Sequence, residues 1–340
     1  MSNFIPNLVP YYGWIGIVYF FTFMRSVEFI KQRTEREKQV EFIKIIKSNK
    51  RREPLHVYVL RPLKGYKPYF EHTLRLENDN PLFILHNIFI MDEDDPGLND
   101  LNKMEFQVTE TTKYSLFIKL FGTNKVKLAP SDLDIQQSDI SDYKHYINHK
   151  IQSLTSCIDH YNVHGFIWNL DDNVFINNDT LNTTLMKIEQ KHWLNGNWLP
   201  LPQIGDAHCT LWHHVCLGIH ASQSALLEAM FLNTLHSVYY IFINLTRIDS
   251  CLMGKSIIFP STLLEHKDID LHVYQDILAE DNAFGQAVWK QSVPHEMIGF
   301  AYNVLGKMSV KDVIARRIRW ARLRKYNVPI GNFKLIKVTS

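Results

Sequence analysis

Of 340 residues, only four are cysteine, 13 are proline and 14 are glycine. Cys157, Cys209, Cys216 and Cys251 are too sparse for a disulfide scaffold and fit reduced thiols in a cytosol-facing domain. The chain has no internal repeat and no low-complexity tract, and its glycine content excludes a collagen-like fold. Excess charge is missing as well. Lysine and arginine total 37 against 35 acidic residues, a net charge of +2, so there is no overall electrostatic case for binding nucleic acid. With 46% hydrophobic, 12% aromatic and 21% charged residues, the composition is globular and excludes disorder. The length allows two domains or one large α/β domain with insertions.

Charge is absent altogether from residues 1–24, where Leu8 to Met24 is apolar and aromatic. These seventeen residues reach about 25 Å as a helix, the short end of a bilayer span. Tyr11, Tyr12, Trp14 and Tyr19 suit the interfacial belts. A cleaved signal peptide would need a basic leader and a small-residue cleavage site, and neither is present. The expected organisation is therefore an anchor over 1–30, a charged and helical juxtamembrane linker over 31–53, a catalytic domain over 54–330 and a polar tail over 331–340. Basic residues follow the apolar run and none precedes it, which places the bulk of the chain in the cytosol.

A second stretch, Ala207 to Thr246, holds Glu228 as its one charge. Leu226, Leu227, Met230, Phe231 and Leu235 form a helical apolar stripe, followed by the run Val238 to Ile243. Two readings stay open: a core helix and core strand, or a membrane-apposed surface that admits an apolar acceptor. A second spanning helix is disfavoured by Glu228, Asn233, His236 and Ser237. His208-Cys209 and His213-His214-x-Cys216 resemble zinc ligands only superficially, because no second cluster completes a recognised spacing.

From His56 onward, short β-rich runs alternate with helical patterns, as in an α/β sheet. The first, His56 to Leu60, ends in Arg61-Pro62-Leu63-Lys64-Gly65. The second, Phe83 to Met91, ends in Asp92-Glu93-Asp94-Asp95-Pro96. The third, Gly165 to Leu170, ends in Asp171-Asp172-Asn173. Ile147, Ile151, Leu154, Ile158 and Tyr161 mark an amphipathic helix, preceded by an inserted coil from Gly122 to Asp142. Open α/β sheets bind ligands beyond the carboxyl ends of their strands, so both acid clusters converge on one crevice. Turn chemistry alone explains either cluster. Together, they suit a divalent cation held against a diphosphate.

In the last third, Asp281 lies at the start of a helix carrying Phe284, Ala287, Val288 and Trp289 on one side. It is either a dipole-compensating carboxylate or a base that takes a proton from an attacking hydroxyl. Arg316 to Lys325 carries six cations in ten residues. At helical spacing Arg316, Arg319 and Trp320 share one face, a cationic fork beside an aromatic plate, with Arg317 and Arg324 elsewhere on the circumference.

In chain order, the anchor is followed by Val59 to Gly65, the Asp92 cluster, Asn148-x-Lys150 and Ile167-Trp168 leading to Asp171. Next come Leu235-His236-Ser237-Val238-Tyr239-Tyr240, Ser250 to Met253, Ala279-Glu280-Asp281 and Arg316-x-x-Arg319-Trp320. Taken as a set, these elements resemble the ceramide glucosyltransferases of glycosyltransferase family 21, the fungal members in particular.

The resemblance implies a GT-A type nucleotide-sugar-binding fold with a Rossmann-like central sheet, using UDP-glucose with inversion at the anomeric carbon and ceramide as acceptor. It implies UDP-glucose binding by Arg61, Lys64, Asp92, Lys150 and Asp171, with Asp171 also holding a divalent cation, Mg or Mn. Asp281 would be the general base, Arg316, Arg319 and Trp320 the leaving-group and acceptor platform, and His236 would lie near the acceptor. The implied setting is a Golgi or endoplasmic reticulum membrane with the catalytic domain facing the cytosol and no nucleic-acid partner. Family members usually carry Asn-Pro-Lys where this chain has Asn148-His149-Lys150, and they continue into further membrane helices after the R-x-x-R-W element. A truncated product, inactive or binding UDP-sugar only, is therefore one alternative. A processive polysaccharide synthase is another, but it usually carries glutamine in place of Arg316.

The cytosolic orientation keeps the sequons at Asn178, Asn182 and Asn244 unmodified. Glycosidase treatment of the expressed protein is expected to leave its electrophoretic mobility unchanged, and a shift would reverse the orientation.

Overall fold

The computed structural model describes residues 53–92, 95–106, 109–119, 148–194, 197–220, 222–247, 250, 252–277 and 279–327, with side chains left out at 114–119 and 323–327. It also describes Gly16, Tyr19, Phe20, Phe23, Met24, Ser26 and Val27, all of them helical. Tyr19, Phe20, Phe23 and Val27 are exposed. The rest of the expected anchor, the linker up to residue 52, the coil from Gly122 to Asp142 and the polar tail lie outside the described residues.

The strands are β1 (Leu55–Pro62), β2 (Phe83–Asp92), β3 (Thr112–Lys119), β4 (Phe166–Leu170), β5 (Val174–Phe175), β6 (Trp193–Leu194), β7 (Asn197–Trp198), β8 (Leu211–His220), β9 (Ser256–Pro260) and β10 (His295–Leu305). The runs expected at His56, Phe83 and Gly165 are β1, β2 and β4. Eight strands make one mixed sheet in the order β3-β2-β1-β4-β9-β8-β10-β5, while β6 and β7 pair separately. β1, β2, β3 and β4 run parallel, and β9 runs antiparallel between β4 and β8. The chain winds outward from β1 to β3 and then crosses back to β4, so the winding reverses between β1 and β4. This is the place where open α/β sheets leave a crevice at their carboxyl edge. The mixed α/β architecture fits a GT-A-like fold.

Strand alternation divides the core into two layers. Val57, Val59, Phe166 and Trp168 point to one side, where Leu181, Leu185 and Ile188 of the Asn178–His192 helix cover them. Leu60 and Ile167 point to the other, under Ile151, Leu154 and Cys157 of the His149–Tyr161 helix and Phe284 and Val288 of the Glu280–Lys290 helix. The Asn148 side chain caps the first of these covering helices by accepting from Ile151 N at 3.3 Å, and Asn177 caps another by accepting from Thr180 N at 2.8 Å. His149 occupies the first helical position, which proline also suits, so the departure from Asn-Pro-Lys leaves the cap in place.

The Val238–Ile243 run corrects one of the two expectations held open for it: it is helix, not strand. Gln223–Phe231, a π-helical turn at Leu232–His236, and Ser237–Thr246 follow one another without a break. Although its residues have strand propensity, Val238 and Ile241 lie one helical turn apart and are both buried, so burial at helical spacing overrides propensity. Among the described residues, Gln223–Thr246 is the one helix long and apolar enough to cross a membrane, and half of its apolar window is buried in the protein.

His213 and His214 are core residues of β8. The His214 ring is 2.9 Å from Thr184 Oγ1 and 2.8 Å from Ser256 Oγ, and burial, aided by His213, pulls it down to about 3.

Leu185→Ala, at a fully buried position between helix and sheet, is expected to cost about 2–5 kcal/mol in urea unfolding, while Leu194→Ala, at an exposed position, stays within about 0.5 kcal/mol.

Candidate active site

The carboxyl edge of β1, β2 and β4 carries the acid clusters. Along β4, Ile167 and Asn169 alternate with Trp168 and Leu170, so Asp171 follows onto the face of the His149–Tyr161 helix. Asp92 shares the phase of Ile88 and Ile90, which belong to the same layer. Asp92 and Asp171 therefore lie at one edge on strands flanking β1, roughly 10 Å apart by strand spacing.

Lys150, in the first turn of its helix, reaches this edge. Its Nζ is 2.6 Å from Asp171 Oδ1, 3.6 Å from Glu280 Oε1, and donates to Gly254 O at 2.8 Å. Asn148 adds a second tie, donating to Ile277 O at 2.8 Å and Glu280 Oε2 at 3.1 Å. Lys255 approaches from the turn just before β9. Its Nζ is 3.2 Å from Asp171 Oδ2 and 3.0 Å from Asn173 Oδ1. A third ammonium, Lys67, bonds Asp172. Burial opposes the Lys150 ammonium, but Asp171 and Glu280 outweigh it and raise its pKa above the ordinary lysine range. Burial likewise opposes the Asp171 carboxylate, and Lys150 with Lys255 holds it well below the usual range.

Asp281 sits beside this network at the start of the Glu280–Lys290 helix. Its Oδ2 accepts from Gly254 N at 2.9 Å, and its Oδ1 from Asn282 N at 2.9 Å. A Cβ at residue 254 would come within 2.6 Å of Asp281 Oδ2, so only glycine leaves room for the carboxylate there. Burial raises the pKa of both Glu280 and Asp281 against the pull of Lys150.

These groups line a cavity of about 460 Å³ whose opposite wall is aromatic and apolar. Trp320 meets the His236 ring edge to face at 5.6 Å, and His236 meets Tyr240 at 4.9 Å. Leu232, Tyr239 and Met253 complete that side. Arg316, Arg319 and Trp320, on the Val310–Asn327 helix, all line the cavity. Arg317, expected elsewhere on the circumference, lines it too. It bonds the fully buried Glu228 and lies 4.0 Å over the Phe231 ring, while Arg316 Nε is 3.4 Å from the same carboxylate. The carboxylate draws both neighbouring arginines inward and overrides simple helical phase.

Residues 201–337 match glycosyl transferase family 21. Across 80% of its length the chain is 24% identical to a ceramide glucosyltransferase of Pyricularia oryzae and 23% identical to one of Candida albicans. Identity with a ceramide glucosyltransferase of Komagataella phaffii is 26%, again over 80% of the chain. The chain spans less than two thirds of these relatives, the aligned parts being 58%, 64% and 57% of their lengths.

Seven of the residues that the family 21 resemblance singles out meet in the cavity: Lys150, Asp171, His236, Asp281, Arg316, Arg319 and Trp320. Asp92 shares their sheet edge but not the cavity lining. Arg61 is elsewhere, because it has the phase of Val57 and Val59 and points into the opposite layer, fully buried, donating to Val174 O at 3.3 Å. Lys64 is exposed on the loop after β1 and does not line the cavity. Sequence reasoning missed Lys255 and Lys67 as members of the cluster. Lys255 comes into range only through the pairing of Leu170 with Ser256 across β4 and β9, which no local motif announces.

Asp171 is the residue expected to hold a divalent cation. Both its oxygens are engaged by ammonium groups, and among the described residues no cluster of three histidine, cysteine or carboxylate ligands surrounds it. As arranged, Asp171 fits an ammonium cradle, because Lys150 and Lys255 already take both oxygens that a cation would use.

Because the pKa of Asp281 is raised, the stability contributed by its protonated form is complete below the ordinary carboxylate range and is lost as pH rises through the raised value. Asp281→Asn, which cannot ionise, is expected to flatten the fall of Tm that the unsubstituted chain shows as pH rises through the raised value, measured by scanning calorimetry across that pH range.

Proposed function

We propose that the chain transfers glucose from UDP-glucose to the primary hydroxyl of ceramide, with inversion, giving glucosylceramide. The observation that carries this reading is the position of Asp281 in a cavity with lysines and carboxylates on one side and aromatic and apolar side chains with arginines among them on the other. The curated relatives named ceramide glucosyltransferase support ceramide as acceptor and glucose as the sugar transferred.

A primary alcohol is a weak nucleophile until its proton is taken. Asp281, raised by burial, is poised to accept that proton as the acceptor oxygen bonds to the anomeric carbon. The bond from that carbon to the β-phosphate oxygen breaks, its electron pair leaves with UDP, and the arginines offset the charge that grows there. Attack opposite the leaving group inverts the centre. Trp320 and His236, set edge to face, form an aromatic corner for the acceptor beside the apolar residues Leu232 and Met253.

Delivery from a membrane fits the surface around the cavity. Leu226, Leu227, Met230 and Leu235 are exposed on the helix that carries His236, and Ile314 and Ile318 are exposed on the helix that carries Trp320. With the uncharged leading segment, these residues would hold the cavity at the cytosolic face of a Golgi or endoplasmic reticulum membrane.

Microsomes carrying the chain, given labelled UDP-glucose, are expected to yield a lipid-soluble product only when ceramide is added. Asp281→Asn should reduce turnover by about 10²-fold or more while UDP still binds. Polymer formation, or undiminished turnover in the variant, would refute the assignment.

A further inference from the structure

The cluster at Asp171 has a charge arrangement that the expected cation does not explain. Two ammonium groups grip one carboxylate, one on each oxygen, at the mouth of the crevice where a sugar nucleotide's diphosphate would sit. Each ammonium has three N–H donors. Lys150 uses two of them, on Asp171 Oδ1 and Gly254 O. Lys255 also uses two, on Asp171 Oδ2 and Asn173 Oδ1. Glu280 Oε1, 3.6 Å from Lys150, is beyond ordinary hydrogen-bond length. Within this network each lysine thus keeps one donor, and both sit where the carboxyl end of β4 meets the amino end of β9. The aspartate fixes their position: it gathers two long, flexible side chains into one geometry and so removes the entropy cost of ordering them when an anion arrives.

We propose that Lys150 and Lys255, held by Asp171, supply the positive charge that receives the donor's diphosphate, in the place where a divalent cation was expected. Asp171 is then a positioning residue for two lysines. Lys67 forms a similar pair with Asp172 beside the same edge, toward the loop after β1. The arginines of the Val310–Asn327 helix lie across the cavity, so the diphosphate would meet fixed cations from two directions. The inference rests on the proposed use of UDP-glucose and adds how the chain binds its charged half.

The test uses the full chain in lipid nanodiscs, with UDP and uridine as probes in calorimetric titrations. With chelator present, the affinity for UDP is expected to equal that in magnesium or manganese. Lys255→Gln should weaken UDP binding by about tenfold or more and leave uridine binding unchanged, because only UDP carries the diphosphate. Lys255→Arg, which keeps the charge, should restore most of the UDP affinity. An unchanged thermal unfolding midpoint in Lys255→Gln would show that the loss is not a folding defect. UDP binding abolished by chelator and restored by either metal would overturn the lysine assignment and leave the glucosyltransferase reading intact. Equal weakening of UDP and uridine in Lys255→Gln would also overturn it. Failure of the unsubstituted chain to bind UDP under any condition would overturn both.

Discussion

The Lys150 ammonium joins three parts of the chain that are far apart in sequence. It sits on the first turn of the helix that Asn148 caps, yet its partners are Asp171 at the end of β4, Gly254 just before β9, and Glu280 at the head of another helix. Two further bonds from Asn148 reinforce the junction with Ile277 and Glu280. If this half-buried charge were removed, Asp171 and Glu280 would face each other with no cation between them, which is why such a centre is costly to break. The position of Asp281 depends on it as well, because the Gly254 segment that receives Lys150 through its carbonyl also donates its N–H to Asp281. One ammonium therefore sets the floor of the cavity, and every chemical role assigned to that floor derives from its geometry.

Much of this was legible in the amino-acid order. The three β-runs, the amphipathic helix, the helix after Asp281 and the cationic face of the last helix are local patterns, set by periodicity within one segment. Asp171 and Asp281 were legible because acid groups at strand ends and helix starts have recognisable surroundings. The misreadings share a different cause. Arg61 lies at a strand end, but whether a side chain enters the crevice depends on strand phase, and Arg61 has the phase of the opposite layer. Lys255 acquires its role from an antiparallel neighbour some 85 positions away, a relation that sequence periodicity does not encode. The Val238–Ile243 run has strand-forming residues throughout and is helix because its buried positions recur at helical spacing.

The second wall of the cavity rests on a different kind of contact. Glu228 is the sole charged group between Ala207 and Thr246, and it is completely shielded from solvent. Its partners Arg316 and Arg317 bring the basic helix onto the apolar one, so that Trp320 faces His236. The polar half of the site is thus set by a lysine among carboxylates, and the greasy half by a carboxylate among arginines. Both are charge pairs formed where water is scarce, and such pairs fix geometry more firmly than equivalent pairs at the surface.

The π-helical turn at Leu232–His236 stands between Glu228 and Ser237 in the apolar helix. Such a turn amounts to one residue inserted into an otherwise regular spiral. Deleting that residue would heal the spiral, yet it would swing the Glu228 side of the helix around the axis by about 100° relative to the Ser237 side. The tether on the arginines and the aromatic contact with Trp320 could then no longer be made at once. The irregularity acts as a phase adjuster, and a chain with a tidier helix here would have a disassembled wall.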